Sequence, residues 1–152
     1  MRKLTLTLAA FVAIGTTVLA PAPNAYAADS IYTSVRNNLA VSGYDVVSYH
    51  TGSPIKGNHN ITTDWNGATW RFSTTANKAA FIAAPEKYAP AYGGYCAWAL
   101  ANNKLAKGSP KYWTIIDGQL YLNFNKKVQT RWKKDTAGFI EQADDNWPNI
   151  LD

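Results

Sequence analysis

Hydrophobic and polar positions alternate in two stretches of this chain, and each stretch is folded back on itself by a turn dipeptide. From Ile61 to Phe72, Asn66-Gly67 joins two β-prone runs and supplies the positive φ angles of a two-residue hairpin turn. Trp70 and Phe72 then share one sheet face, and Thr69 and Arg71 take the other. A second hairpin joins Trp113-Thr114-Ile115-Ile116 to Leu120-Tyr121-Leu122-Asn123-Phe124 through Asp117-Gly118.

Between and after the hairpins the apolar spacing becomes helical. Ser73 is placed to cap a helix through Ala76, Ala80 and Phe81 that ends before Pro85, and Pro90 stops any continuation through Tyr88. Gly93-Gly94 opens a helix from about Tyr95 to Asn102, with Ala97, Leu100 and Ala101 on its core face. Asn125 caps another that carries Val128 and Trp132 and turns Lys126, Lys127, Arg131, Lys133 and Lys134 to solvent. After Thr136 and Gly138, a last helix through Phe139, Ile140 and Ala143 stops before Pro148. Val46 to His50 reads as a short strand or a packed turn, and Ser30 to Asn38 as a short helix or an arm lying on the domain. Two hairpins interleaved with several short helices predict a small α+β domain. No internal repeat, low-complexity run or linker is legible.

The N-terminus changes the compartment. Arg2 and Lys3 precede an apolar stretch from Leu4 to Leu19, followed by Pro21, Pro23 and the small-residue site Ala25-Tyr26-Ala27. That is the pattern of a secretory signal peptide cleaved after Ala27, and the apolar stretch is short for a membrane span. The expected organisation is a signal peptide over 1–27, an arm over 28–38 and one domain over 39–152, in the periplasm or secreted. No later segment is apolar enough to span a bilayer. Without Arg2 and Lys3, Lys+Arg falls from 15 to 13 against 10 Asp+Glu, so the formal charge falls from +5 to +3. That is too mild to indicate a nucleic-acid partner. The aromatic content of 13%, with six tryptophans, favours a well-packed domain over a disordered chain.

Export makes the single cysteine the central chemical question. A lone thiol outside the cytosol has no intramolecular disulfide partner, so it is buried and inert, bonded to another molecule, or kept for chemistry. Cys96 lies in Tyr92-Gly93-Gly94-Tyr95-Cys96-Ala97-Trp98. With Gly94 as N-cap, Cys96 falls in the first helical turn, where free N–H groups and the helix dipole favour a thiolate. Gly93 and Gly94 also allow an anion, metal or partner close to the sulfur. The competing expectation is a small buried hydrophobe.

The order Gly43-Tyr44-Asp45-Val46-Val47-Ser48-Tyr49, Trp70-Arg71-Phe72, Phe81, Pro85-Glu86-Lys87-Tyr88-Ala89-Pro90, Tyr92-Gly93-Gly94-Tyr95-Cys96-Ala97 and Asp117-Gly118-Gln119-Leu120-Tyr121-Leu122-Asn123 resembles the exported YHS domain-containing proteins of bacteria, over about Leu39 to Trp147. Some members of that family carry selenocysteine at the position of Cys96, which implies a use for an easily ionised chalcogen. The wider YHS class implies metal binding through cysteines, but the matching positions here are Ser48, Ser73 and Asn77, none a soft-metal ligand. His50 stands where the wider pattern often has methionine after its first cysteine, and becomes a candidate ligand.

The leading expectation is a non-enzymatic binder of copper or another thiophilic ion. Cys96 and His50 are its ligands, and Tyr44, Tyr49, Tyr92, Gly93, Gly94 and Tyr95 support them. Met1, the only methionine, leaves with the signal peptide, so a thioether-rich copper site is excluded. The alternatives are a thiol protein forming mixed disulfides through Cys96, or a structural module with an inert thiol that binds a protein partner. No Cys-x-x-Cys is present, which rules out a self-contained thioredoxin-type cycle. Cys96-Ala97-Trp98 is faintly similar to the nucleophile segment of papain-like proteases, but no histidine follows it. His50 and His59 both lie upstream.

Overall fold

The structure, a computed structural model, describes residues 28–152; the expected signal peptide lies outside them. Both predicted hairpins are present. β1 (Asn58–Trp65) pairs antiparallel with β2 (Ala68–Phe72), and β3 (Ser109–Ile116) with β4 (Gln119–Asn123). Their turns hold Asn66-Gly67 at φ 46° and 75° and Asp117-Gly118 at 50° and 79°, the left-handed pair that two-residue hairpins need. Around them lie α1 (Val46–Tyr49), α2 (Thr75–Ala83), α3 (Pro85–Tyr88), α4 (Ala97–Ala101), α5 (Lys126–Trp132) and α6 (Thr136–Asn146). The fold is α+β.

These elements form a repeat that the sequence did not disclose. Starts recur with a constant offset of 51: 46 and 97 for α1 and α4, 58 and 109 for β1 and β3, 68 and 119 for β2 and β4, 75 and 126 for α2 and α5, 85 and 136 for α3 and α6. Backbone detail repeats too. Asp45 N–H donates to the Ile55 carbonyl at 2.9 Å and Cys96 N–H to the Ala106 carbonyl at 2.8 Å. Both hairpins shift register at the same place, between Asn58 and Thr62 and between Ser109 and Trp113. Each half begins with a left-handed turn, Val41–Gly43 at φ 49°, 53° and 78° and Tyr92–Gly94 at 55°, 60° and 88°.

That turn corrects the role expected for Gly93-Gly94. The pair does not open a helix; it fills left-handed positions that cost an ordinary L residue about 1 kcal/mol or more each. The helix beyond begins at Ala97, with Cys96 as its N-cap residue. Two further local expectations change, and one alternative is decided. Val46 to Tyr49 is helical rather than a strand, because Asp45 caps it by accepting from Val47 N–H at 3.0 Å. Thr74, not Ser73, caps α2, since Ser73 is engaged elsewhere. Residues 30–38 form an arm, held by the Thr33 to Ala40 bridge and by Tyr32 N–H on the Gly93 carbonyl at 2.9 Å. The Asn125 cap of α5 is as expected, accepting from Val128 N–H at 2.9 Å.

The two halves share their interior. Trp70, Phe72 and Phe81 fill the first core with Val46 and Tyr49, and Leu120 and Leu122 of β4 reach into it from the other half. Tyr121, between those leucines, points to the second core with Leu100, Trp132 and Ala143. β4 is therefore buried on both faces, unlike β2, where buried Ala68, Trp70 and Phe72 alternate with half-buried Thr69 and Arg71. Among the described residues no helix is long and apolar enough to cross a membrane.

Candidate functional site

Cys96 is 1% exposed and sits between α4 and β4, where it bridges to Leu122. As the N-cap residue it contributes its carbonyl to Leu100 N–H at 3.1 Å, and its thiol makes no capping bond. The expected first-turn position is thus not adopted, and α4 is only five residues long. Cys96 borders an apolar pocket of about 250 Å³, lined also by Trp98, Lys104, Leu105, Phe124 and Val128. Leu105 and Phe124 are exposed apolar groups at 37% and 42%, so the pocket reaches the surface. Cations stand on its outer rings: Arg131 lies 5.9 Å from the centre of Trp98 and Lys107 5.8 Å from that of Phe124.

The repeat explains why a pocket exists here. Asp45 occupies the position of Cys96 in the first half, where it is fully buried. It accepts from Ser73 N–H at 2.8 Å, Ser73 Oγ at 2.6 Å and Asn77 Nδ2 at 2.7 Å, besides capping α1. A carboxylate so supplied with donors can be buried. The positions matching Ser73 and Asn77, 51 residues on, are Phe124 and Val128, whose side chains offer no donor. One half therefore encloses a polar knot; the other encloses a thiol with apolar walls.

His50 packs against Tyr88. Its ring stands edge-on to Tyr88 of α3 at 5.1 Å, and its Nε2 is shielded from solvent with no partner among the described residues. Burial, with Lys87 nearby, lowers its pKa from 6.5, so it is neutral at physiological pH. His50 does not line the Cys96 pocket. Among the described residues no three His, Cys, Asp or Glu side chains are grouped as a metal site.

The supporting residues are committed to the fold. Tyr49 donates to the Pro110 carbonyl at 2.9 Å, Tyr92 to Asp144 Oδ1 at 2.8 Å and Tyr95 to the Asp29 carbonyl at 2.9 Å. Desolvation is the main reason that all three phenols have raised pKa values. Tyr44 lies under Lys56, 5.9 Å from its ring centre. The close approach that Gly93 allows is used by the protein's own arm, since a Cβ there would collide with the Ser30 carbonyl. Gly94 stays at φ 88° and receives Gly108 N–H on its carbonyl at 3.1 Å.

Asp45, Phe124 and Val128 were not singled out as site residues from the sequence. The available signal was the recurrence of Gly43-Tyr44 and Lys56-Gly57 as Gly94-Tyr95 and Lys107-Gly108 at the one spacing. Compared with family models, curated proteins and solved structures, the chain matches none.

Proposed function

We propose that the protein is a non-enzymatic binding module that takes a soft ion such as Cu(I) or Hg(II) at the Cys96 pocket, in the periplasm or outside the cell. The observation that carries this reading is the place of the thiol. The only cysteine of the chain lines an apolar pocket that reaches the surface, where the first half is closed by Ser73 and Asn77 around Asp45. A bare thiolate against apolar walls is costly, whereas a thiolate with Cu(I) is neutral overall. Cys96 supplies one donor, and a linearly coordinated ion takes its second from a small molecule or a protein partner, because His50 packs elsewhere. The resemblance to exported YHS proteins supports a metal role, moved from the positions of Ser48, Ser73 and Asn77 to the equivalent half of the repeat.

Native mass spectrometry of the protein lacking residues 1–27, with Cu(I), Hg(II) or Zn(II) in the absence of reductant, tests the proposal beside Cys96→Ser. The expected result is one Cu(I) or Hg(II) on the parent, none on the variant, and no retained Zn(II), which needs more donors. Equal stoichiometry in the two proteins overturns it. No adduct with rapid alkylation of the thiol transfers the role to thiol exchange, and no adduct with an unreactive thiol leaves Cys96 as packing.

A further inference from the structure

A cavity of about 550 Å³ lies away from Cys96, between the tip of the first hairpin, the left-handed turn Tyr92–Gly94 and the end of α6. That volume is within the usual range of small-molecule sites, about 300–1,000 Å³. Four aromatic side chains line it: Trp65, Tyr92, Tyr121 and Trp147. Tyr92 stands 5.9 Å from Tyr121 and 6.0 Å from Trp147, centre to centre, so these three rings adjoin. Glu86 and Asp144 are the charged groups of the lining, both exposed. An adjoining pocket of about 420 Å³ shares Asp144 and adds Asp117, Glu141 and Asp145.

This distribution runs against the charge of the chain. Lys and Arg outnumber Asp and Glu by 15 to 10, yet five of those ten carboxylates line the two adjoining pockets. Among the described residues no lysine or arginine lines either one. Gathering like charges costs stability through mutual repulsion, which a cation in their midst relieves. Aromatic faces beside carboxylates suit a cation with an organic body: the ring quadrupoles attract the charge and the rings cover the apolar part. A hydrated metal ion makes no use of the rings, and an anion meets repulsion from every charged group of the lining.

We propose that this cleft binds a small organic ammonium ion, seated on Tyr92, Tyr121 and Trp147 with its charge facing Glu86 and the free oxygen of Asp144. The Tyr92 hydroxyl, donating to Asp144 Oδ1, orients that carboxylate and leaves Oδ2 for the ligand. The site is independent of Cys96 and stands whether or not a metal is bound there.

The test is calorimetric titration of the protein lacking residues 1–27 with benzyltrimethylammonium, beside benzyl alcohol as a neutral counterpart and a peptide carrying one trimethyllysine. The expected result is saturable binding of the free cation with Kd on the order of 1 mM or tighter, weakening with salt, and little binding of the alcohol. Tighter binding of the peptide would keep the ammonium chemistry and identify a protein side chain as its source. Asp144→Asn retains an acceptor for Tyr92 and is expected to weaken binding roughly fivefold, and Glu86→Gln less. Trp147→Leu, with retained circular dichroism as its folding control, is expected to weaken it similarly. Equal binding of benzyl alcohol, an unchanged Kd in the Asp144→Asn, Glu86→Gln double variant, or no saturable heat overturns the proposal.

Discussion

Burial of the His50 imidazole near Lys87 disfavours its charged form, which ties one residue to the acid stability of the protein. In the unfolded chain the imidazole takes up a proton near pH 6.5; in the folded chain it does so only at lower pH. The unfolded state then binds more protons just below 6.5, so stability is full above that value and declines as the pH falls through it. Urea midpoints at pH 8 and pH 5 are expected to show this decline, and His50→Gln to reduce it while leaving the pH 8 midpoint nearly unchanged. A variant that loses stability with acid as steeply as its parent refutes the assignment. The same environment explains why His50 is a poor second ligand for Cys96: its Nε2 is turned into the protein beside Tyr88.

The helix-start segments of the two halves show how one backbone accommodates two chemistries. Asp45 and Cys96 share a position, a backbone hydrogen bond and a left-handed turn before them, but Ser73 and Asn77 surround the first and Phe124 and Val128 the second. Cys96→Asp therefore buries a carboxylate without the hydroxyl and amide donors that Ser73 and Asn77 give Asp45, and is expected to cost about 3 kcal/mol. Adding Phe124→Ser and Val128→Asn supplies the donors of the first half and is expected to recover most of that loss in urea unfolding. A triple variant no more stable than Cys96→Asp alone rejects the equivalence of the two sites. The hairpins and the Asn125 cap were legible in sequence because each rests on contacts within a few residues. The helix at Val46 was not, since the apolar run Val46-Val47 is as compatible with a strand, and the decision fell to the Asp45 cap, fixed in turn by Ser73 and Asn77 from beyond the hairpin.

Across the whole molecule, buried phenols tie the parts together: Tyr49 reaches β3 of the other half, Tyr92 reaches α6 and Tyr95 reaches the arm. Their pKa values are raised from 10.0 in the folded state, chiefly by desolvation, while in the unfolded chain they ionise near 10.0. Stability is thus present below pH 10 and lost as the pH rises, because the unfolded state then releases protons that the folded state keeps. Phenolate absorbance of these residues is expected to appear together with the loss of near-ultraviolet circular dichroism, above pH 10; full ionisation near pH 10 with the fold intact would contradict this. The sequence by itself determined the α+β class, both hairpin turns, the core faces of β2 and α4, and the chemical singularity of Cys96. Those features follow from residue type and short-range periodicity. Tertiary structure alone decided the packing of the two halves on one another, the packing of His50 on Tyr88, the occupation of the Gly93 approach by the arm, and the aromatic and acidic cleft. Each depends on which distant segments pack together, and local propensity does not encode that.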